Sequence, residues 1–175
     1  EPAVAVVTPV GLDHTDYLGD SLTEIATEKA GILKAGALAA FARQEPEAAA
    51  VLMARCVELD ITPVREGVEF AVVNRTLAVG GQMLTIQGLG GEYDELYLPL
   101  HGEHQSANAA LALAAVALFF DAGPQRQLDI DVVRGVWNVS GRAQLSLSMR
   151  PITPLAHELL LQLSQSRSTS AASSG

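Results

Sequence analysis

The feature that most constrains this chain is a run from Ala3 to Val7 of small and β-branched residues with no polar member. Such a run has no polar face to leave in water, so it is expected as a strand covered on both faces, as in a parallel sheet. It passes through Pro9 into Gly11-Leu12-Asp13-His14. In open α/β sheets ligands bind beyond the carboxyl ends of strands, which makes Asp13 and His14 the first polar residues to weigh. Ser21-Leu22-Thr23-Glu24 is a capping box, in which serine hydroxyl and glutamate carboxylate each satisfy the other's backbone N–H, and it predicts a helix starting at Leu22. That helix carries Ile25, Ala26 and Ala30 on one face and ends near Gly31, after which 37–42 reads as a second buried strand. Strand, helix, strand in this order implies an α/β fold with a mostly parallel sheet.

Pro46 suits the first turn of a second helix, continued with helical spacing to Leu59 and ended by Asp60. Between 64 and 100 the pattern changes to short alternating segments, 70–73, 76–79, 83–86 and 95–100. Asn74-Arg75, Gly80-Gly81 and the stretch 88–91 separate them, a pattern of antiparallel hairpins. From Gln105 to Ala122 the chain is rich in Ala and Leu with no breaker before Gly123-Pro124, so a buried helix is expected. A shorter helix over 131–136 follows, capped by Asp129 or Asp131. Beyond Arg142 the character shifts: residues 143–175 hold eight serines and a single acidic residue, Glu158. One amphipathic helix over 155–163 and disorder after Gln165 are expected for this tail.

A chain of 175 residues, 49% hydrophobic and 18% charged, can bury a sizeable core. Its net charge of −9, with 11 scattered Lys and Arg, argues against nucleic acid as a partner. It does not argue against a nucleotide, whose phosphates a local cradle, a metal ion and a few arginines can neutralise. Cys56 is the one cysteine, which excludes an intramolecular disulfide or a thiolate zinc site and fits a reducing compartment. No signal peptide is evident, and the longest apolar run, 109–120, is too short to span a bilayer. A cytoplasmic protein without a membrane partner is the expectation.

Three constellations could carry chemistry. His14, beyond the first strand, and Lys29, one helix later, can face one cleft as metal ligand and cationic or modified group. Equally, they can be a turn residue and a solvated helix charge. In Gly102-Glu103-His104-Gln105-Ser106-Ala107-Asn108-Ala109, the amides of Gln105 and Asn108 share a helix face. They can cap that helix or meet an adenine edge. In Ser140-Gly141-Arg142, a guanidinium after a glycine turn suits a phosphate contact, although a Gly-Arg pair also arises by chance. His101 and His104 invite a metal reading, but no carboxylate or cysteine completes a ligand set.

The stretch from Thr8 to Gly19 with Ile25 to Ile32, including the fifteen-residue step from His14 to Lys29, closely resembles the signature of the folylpolyglutamate and dihydrofolate synthases, a branch of the Mur ligases. Gly102 to Ala109 resembles that class's adenine-contacting motif, and Ser140-Gly141-Arg142 its Pro-Gly-Arg turn, from which Ser140 departs. The resemblance implies a P-loop-type central domain of the Mur ligase fold. It implies His14 as a ligand to Mg²⁺ beside ATP, and Lys29 carbamylated to bind a second Mg²⁺, its oxygens supplying the hard anionic ligands that an ammonium cannot. Gln105 and Asn108 would contact adenine and Arg142 the phosphates. The implied reaction phosphorylates a folate or dihydropteroate carboxylate with ATP and lets the amine of L-glutamate displace the phosphate.

This resemblance covers residues 4–142 and is most specific at its two ends. It implies residues 1–142 as a partial ATP-binding domain and 143–175 as an atypical tail. The Gly-rich phosphate loop expected before such a domain and the Asp-x-Ala-His-Asn-Pro stretch expected after it do not occur in these 175 residues. The chain is therefore expected to be an internal fragment that does not turn over alone. Two alternatives stand beside it: a non-catalytic nucleotide-binding remnant, and a Mur-type ligase acting on a cell-wall precursor.

Overall fold

The computed structural model describes residues 3–11, 21–121 and 127–135. The chain divides into two compact units, Glu1–Phe70 and Ala71–Gly175. Between them they hold a parallel and an antiparallel sheet with helices, the α/β class expected.

The first unit runs β1 (Val4–Val7), α1 (Leu22–Ala30), β2 (Leu38–Phe41), α2 (Pro46–Glu58) and β3 (Val64–Arg65). Its three strands are parallel in the order β1-β2-β3, with Val4 opposite Leu38 and Ala40 opposite Val64. Two crossovers stepping the same way along a sheet place their helices on one face when both are right-handed, and α1 and α2 do pack against each other. The core joins Ala5 and Val7 of β1 to Ile25 and Ala26 of α1, Ala39 and Phe41 of β2, and Leu52 and Cys56 of α2. Burial on both faces holds for β2, where Ala39, Ala40 and Phe41 are all enclosed. In β1 only Ala5 and Val7 are buried, and Val4 and Val6 are half-buried.

Local chemistry sets these boundaries. Ser21 and Glu24 form the reciprocal capping box at 3.2 Å in each direction, and Gly31 caps the other end of α1. Pro46 occupies the first turn of α2, where its missing N–H costs nothing.

The second unit is a meander, β4 (Ala71–Ala78), β5 (Gly81–Gly88) and β6 (Gly91–Leu98), followed by α3 (Glu103–Phe119). Asn74-Arg75 is not a turn. Residues 71–78 form one strand whose pairing with β5 slips between Val72 and Asn74, so a bulge absorbs the irregularity that the polar pair suggested. The turns lie at Gly80, with φ of +77°, and between Gly88 and Gly91. α3 packs on β4 and β5. Residues 109–117 are buried without a break, as expected of a helix apolar on all sides. A further turn of helix spans 130–135, and its cap is Asp129, whose Oδ1 accepts from the amides of Asp131 and Val132. The expectations for 143–175 lie outside the described residues.

Candidate functional site

Two polar positions stand out in the first unit. Lys29 lies in the last turn of α1, exposed, with no ion-pair partner among the described residues. The second is Gln44, just past the carboxyl end of β2. Its Nε2 donates to the Thr8 carbonyl at 3.0 Å and its Oε1 accepts from the Val10 amide at 2.9 Å. The Ala42 amide donates to the Val7 carbonyl at 2.9 Å, so the Gln44 carboxamide prolongs the β1–β2 ladder in side-chain form. It thereby fixes the segment that leads toward His14, which itself lies outside the described residues.

In the second unit Gln105 and Asn108 lie one turn apart at the start of α3, both half-buried. Gly102, with φ of +105°, begins this helix and has no side chain with which to cap it. A Cβ on Gly102 would come within 2.7 Å of the exposed His104 ring, which can swing aside, so it is the positive φ that calls for glycine. Gln105 Nε2 sits 3.1 Å from His104 Nε2. Arg142 lies outside the described residues. Among those described, no group of three or more His, Cys, Asp or Glu side chains could hold a metal ion.

Sequence reading passed over Gln82. It is fully buried on β5, with Nε2 3.1 Å from the Gly102 carbonyl and Oε1 3.3 Å from Arg75 Nη1. The signal was present in the alternation: Gln82 occupies the same inward phase as Leu84 and Ile86, where a polar residue is out of place unless it has partners. The carbonyl it holds also accepts from the Gln105 amide at 3.2 Å.

Electrostatic perturbations fall elsewhere. Hydrogen bonds from Arg65 hold the Glu69 carboxyl below its ordinary value, and burial pushes the Cys56 thiol up. Burial also raises the Tyr93 phenol, partly opposed by the Leu128 amide donating to its oxygen. None of these groups belongs to the constellations above. No described helix is long and apolar enough to cross a membrane.

No family model matches the chain. The dihydrofolate synthase/folylpolyglutamate synthase of Mycobacterium tuberculosis is 54% identical over 137 residues, 75% of this chain and 28% of that protein. A crystal structure of Mycobacterium tuberculosis folylpolyglutamate synthase complexed with ADP and AMPPCP superimposes with a TM-score of 0.72 at 51% identity, covering 77% of this chain and 30% of that one. An FPGS–AMPPCP–folate complex gives 0.71 at 32% identity, over 76% and 32% of the two chains. The chain thus spans under a third of the length of these relatives, and over the matched residues it is, by sequence and by fold, a homologue within the folylpolyglutamate/dihydrofolate synthase family.

Proposed function

We propose that this chain supplies the nucleotide-binding part of an ATP-dependent carboxylate–amine ligase that adds L-glutamate to a folate or dihydropteroate. The observation that carries the reading is the start of α3. There Gln105 and Asn108 stand half-buried on one helical face behind a glycine, within a chain 54% identical to a synthase of that name. Such a pair of carboxamides offers both donors and acceptors, as the edge of adenine requires. The relatives solved with ADP, AMPPCP and folate support the same substrates.

In this reading residues 1–142 form part of the ATP-binding domain. Gln105 and Asn108 orient the base, and Arg142 lays its fork against the phosphates. Mg²⁺ would be held by His14 and by Lys29 after its neutral amine adds to CO₂, forming an N–C bond and releasing one proton. The bound ion would supply charge neutralisation at the phosphates. The exposed position of Lys29, without an ion-pair partner among the described residues, is compatible with that modification. The same nucleotide reading favours a cytoplasmic enzyme, where ATP and folates are available.

Titration of Mg-ATP into the chain, followed by NMR, tests the reading. Binding no tighter than about millimolar is expected, equivalent to roughly −4 kcal/mol, because these residues provide base and arginine contacts without a phosphate loop. Asn108→Ala should weaken it by about 1 kcal/mol, the worth of one neutral hydrogen bond. Binding that neither Asn108→Ala nor Arg142→Ala alters would refute the site.

A further inference from the structure

We infer that Gln82 is a positioning residue for base recognition: from the neighbouring strand it sets the first turn of α3, and so the selectivity of Gln105 and Asn108 for adenine over other purines. The inference rests on the adenine reading above.

Gln82 is fully enclosed, and both ends of its carboxamide are occupied. The Gly102 carbonyl can only accept and the Arg75 guanidinium can only donate, so the amide has one orientation, Nε2 toward Gly102 and Oε1 toward Arg75. The Gly102 oxygen receives Gln82 Nε2 at 3.1 Å and the Gln105 amide at 3.2 Å, so one atom links the buried side chain to the residue proposed to read the base.

Gly102, the residue before α3, has no side chain with which to cap the helix and lies in a backbone region that is soft for glycine. Gln82 instead fixes the carbonyl of the residue before the helix, the same atom that accepts from the Gln105 amide. Hydrogen bonds to a base tolerate only a few tenths of an ångström in donor–acceptor distance. A first turn released from Gln82 loses base discrimination before it loses its fold. Phosphate contacts depend on charge and are less exacting.

The test uses the whole chain and two probes, Mg-ATP and Mg-GTP, titrated into the parent and into Gln82→Glu, Gln82→Met, Arg75→Leu and Asn108→Ala. Gln82→Glu preserves volume and the acceptor for Arg75 but removes the donor to Gly102. It should weaken Mg-ATP about fivefold, the scale of one hydrogen bond, leave Mg-GTP unchanged, and speed hydrogen exchange at the Gln105 amide. Arg75→Leu should do less, because the Gly102 bond survives.

Equal losses for ATP and GTP, or unchanged ATP affinity in both Gln82 variants while Asn108→Ala weakens it, would overturn the inference and leave the adenine reading standing. If Asn108→Ala has no effect, or the parent shows no saturable Mg-ATP binding, the adenine reading fails and takes the inference with it. Should Gln82→Met not fold, the isosteric Glu variant decides. If neither folds, Gln82 is core support, and positioning is rejected.

Discussion

Gln44 and Val10, thirty-four residues apart, are joined by a 2.9 Å hydrogen bond from the Val10 amide to the Gln44 side-chain oxygen. The same carboxamide donates to the Thr8 carbonyl, so one side chain satisfies two backbone groups just where β1 ends. Val10 is 3% exposed, and water does not readily replace the lost partner. Gln44→Leu should therefore cost about 1–3 kcal/mol, the penalty for leaving buried backbone groups unpaired. Urea unfolding should show a lower midpoint with an unchanged m value. A midpoint within error of the parent would mean that solvent or neighbouring backbone takes over both bonds.

The Arg65–Glu69 pair predicts a pH dependence. Glu69 accepts from the Arg65 backbone amide at 2.7 Å and from its Nη2 at 2.8 Å, which holds the carboxyl below its ordinary value of 4.5. A depressed folded-state pKa gives stability that is present above the unfolded value and lost as pH falls through the folded one. The side chains of Arg65 and Glu69 are 40% and 33% exposed, so solvent screens the pair, and its worth is about 0.5–1 kcal/mol. Glu69→Gln should be less stable than the parent near neutral pH by that amount, with the gap closing below about pH 4. A gap independent of pH would assign the difference to packing instead.

Much of the fold was legible because local signals agreed with tertiary demand. The Ser21–Glu24 capping box, the proline at the head of α2 and the glycines at the β turns each satisfy a backbone requirement that sequence displays directly. Asn74-Arg75 misled because a bulged strand and a turn use the same polar residues. The difference lies in cross-strand pairing, which one strand's sequence does not contain. The candidate site divides the same way. Gln105 and Asn108 stand out by spacing, whereas Gln44 and Gln82 act on backbone atoms 34 and 20 residues away, so their roles appear only once the strands are laid side by side.

Cys56 should behave as a packing residue. It is fully enclosed between α2 and the first unit's core, and burial keeps its thiol protonated above the ordinary range. The thiolate is the reactive species, so a disulfide reagent should modify Cys56 only as fast as the unit opens. Labelling should accelerate through the urea transition in step with the loss of structure. Rapid labelling in the absence of denaturant would show that α2 opens locally. Cys56→Ser should cost more than Cys56→Ala, because a buried hydroxyl without a partner carries a penalty of about 1–3 kcal/mol.

The last prediction separates two reasons for glycine. At Gly36 the backbone has φ of +78° and nothing lies within 4 Å of where a Cβ would stand, so Gly36→Ala meets conformational strain alone, about 1–2 kcal/mol. Gly81 is the opposite case. Its Cβ would overlap the Leu98 carbonyl oxygen and lie 2.8 Å from the Pro99 Cα, and backbone atoms cannot swing aside as a side-chain tip can. The added methyl must separate β5 from β6 beside the Gln82–Leu98 pairing, at a cost of about 3 kcal/mol or more. Displacement there also moves Gln82 from Gly102, so Gly81→Ala should speed amide exchange at Gln105 in the first turn of α3, while Gly36→Ala should leave it unchanged. Hydrogen exchange read residue by residue, alongside urea unfolding, measures both effects. Equal exchange at Gln105 in the two variants would show that the start of α3 is held independently of β5.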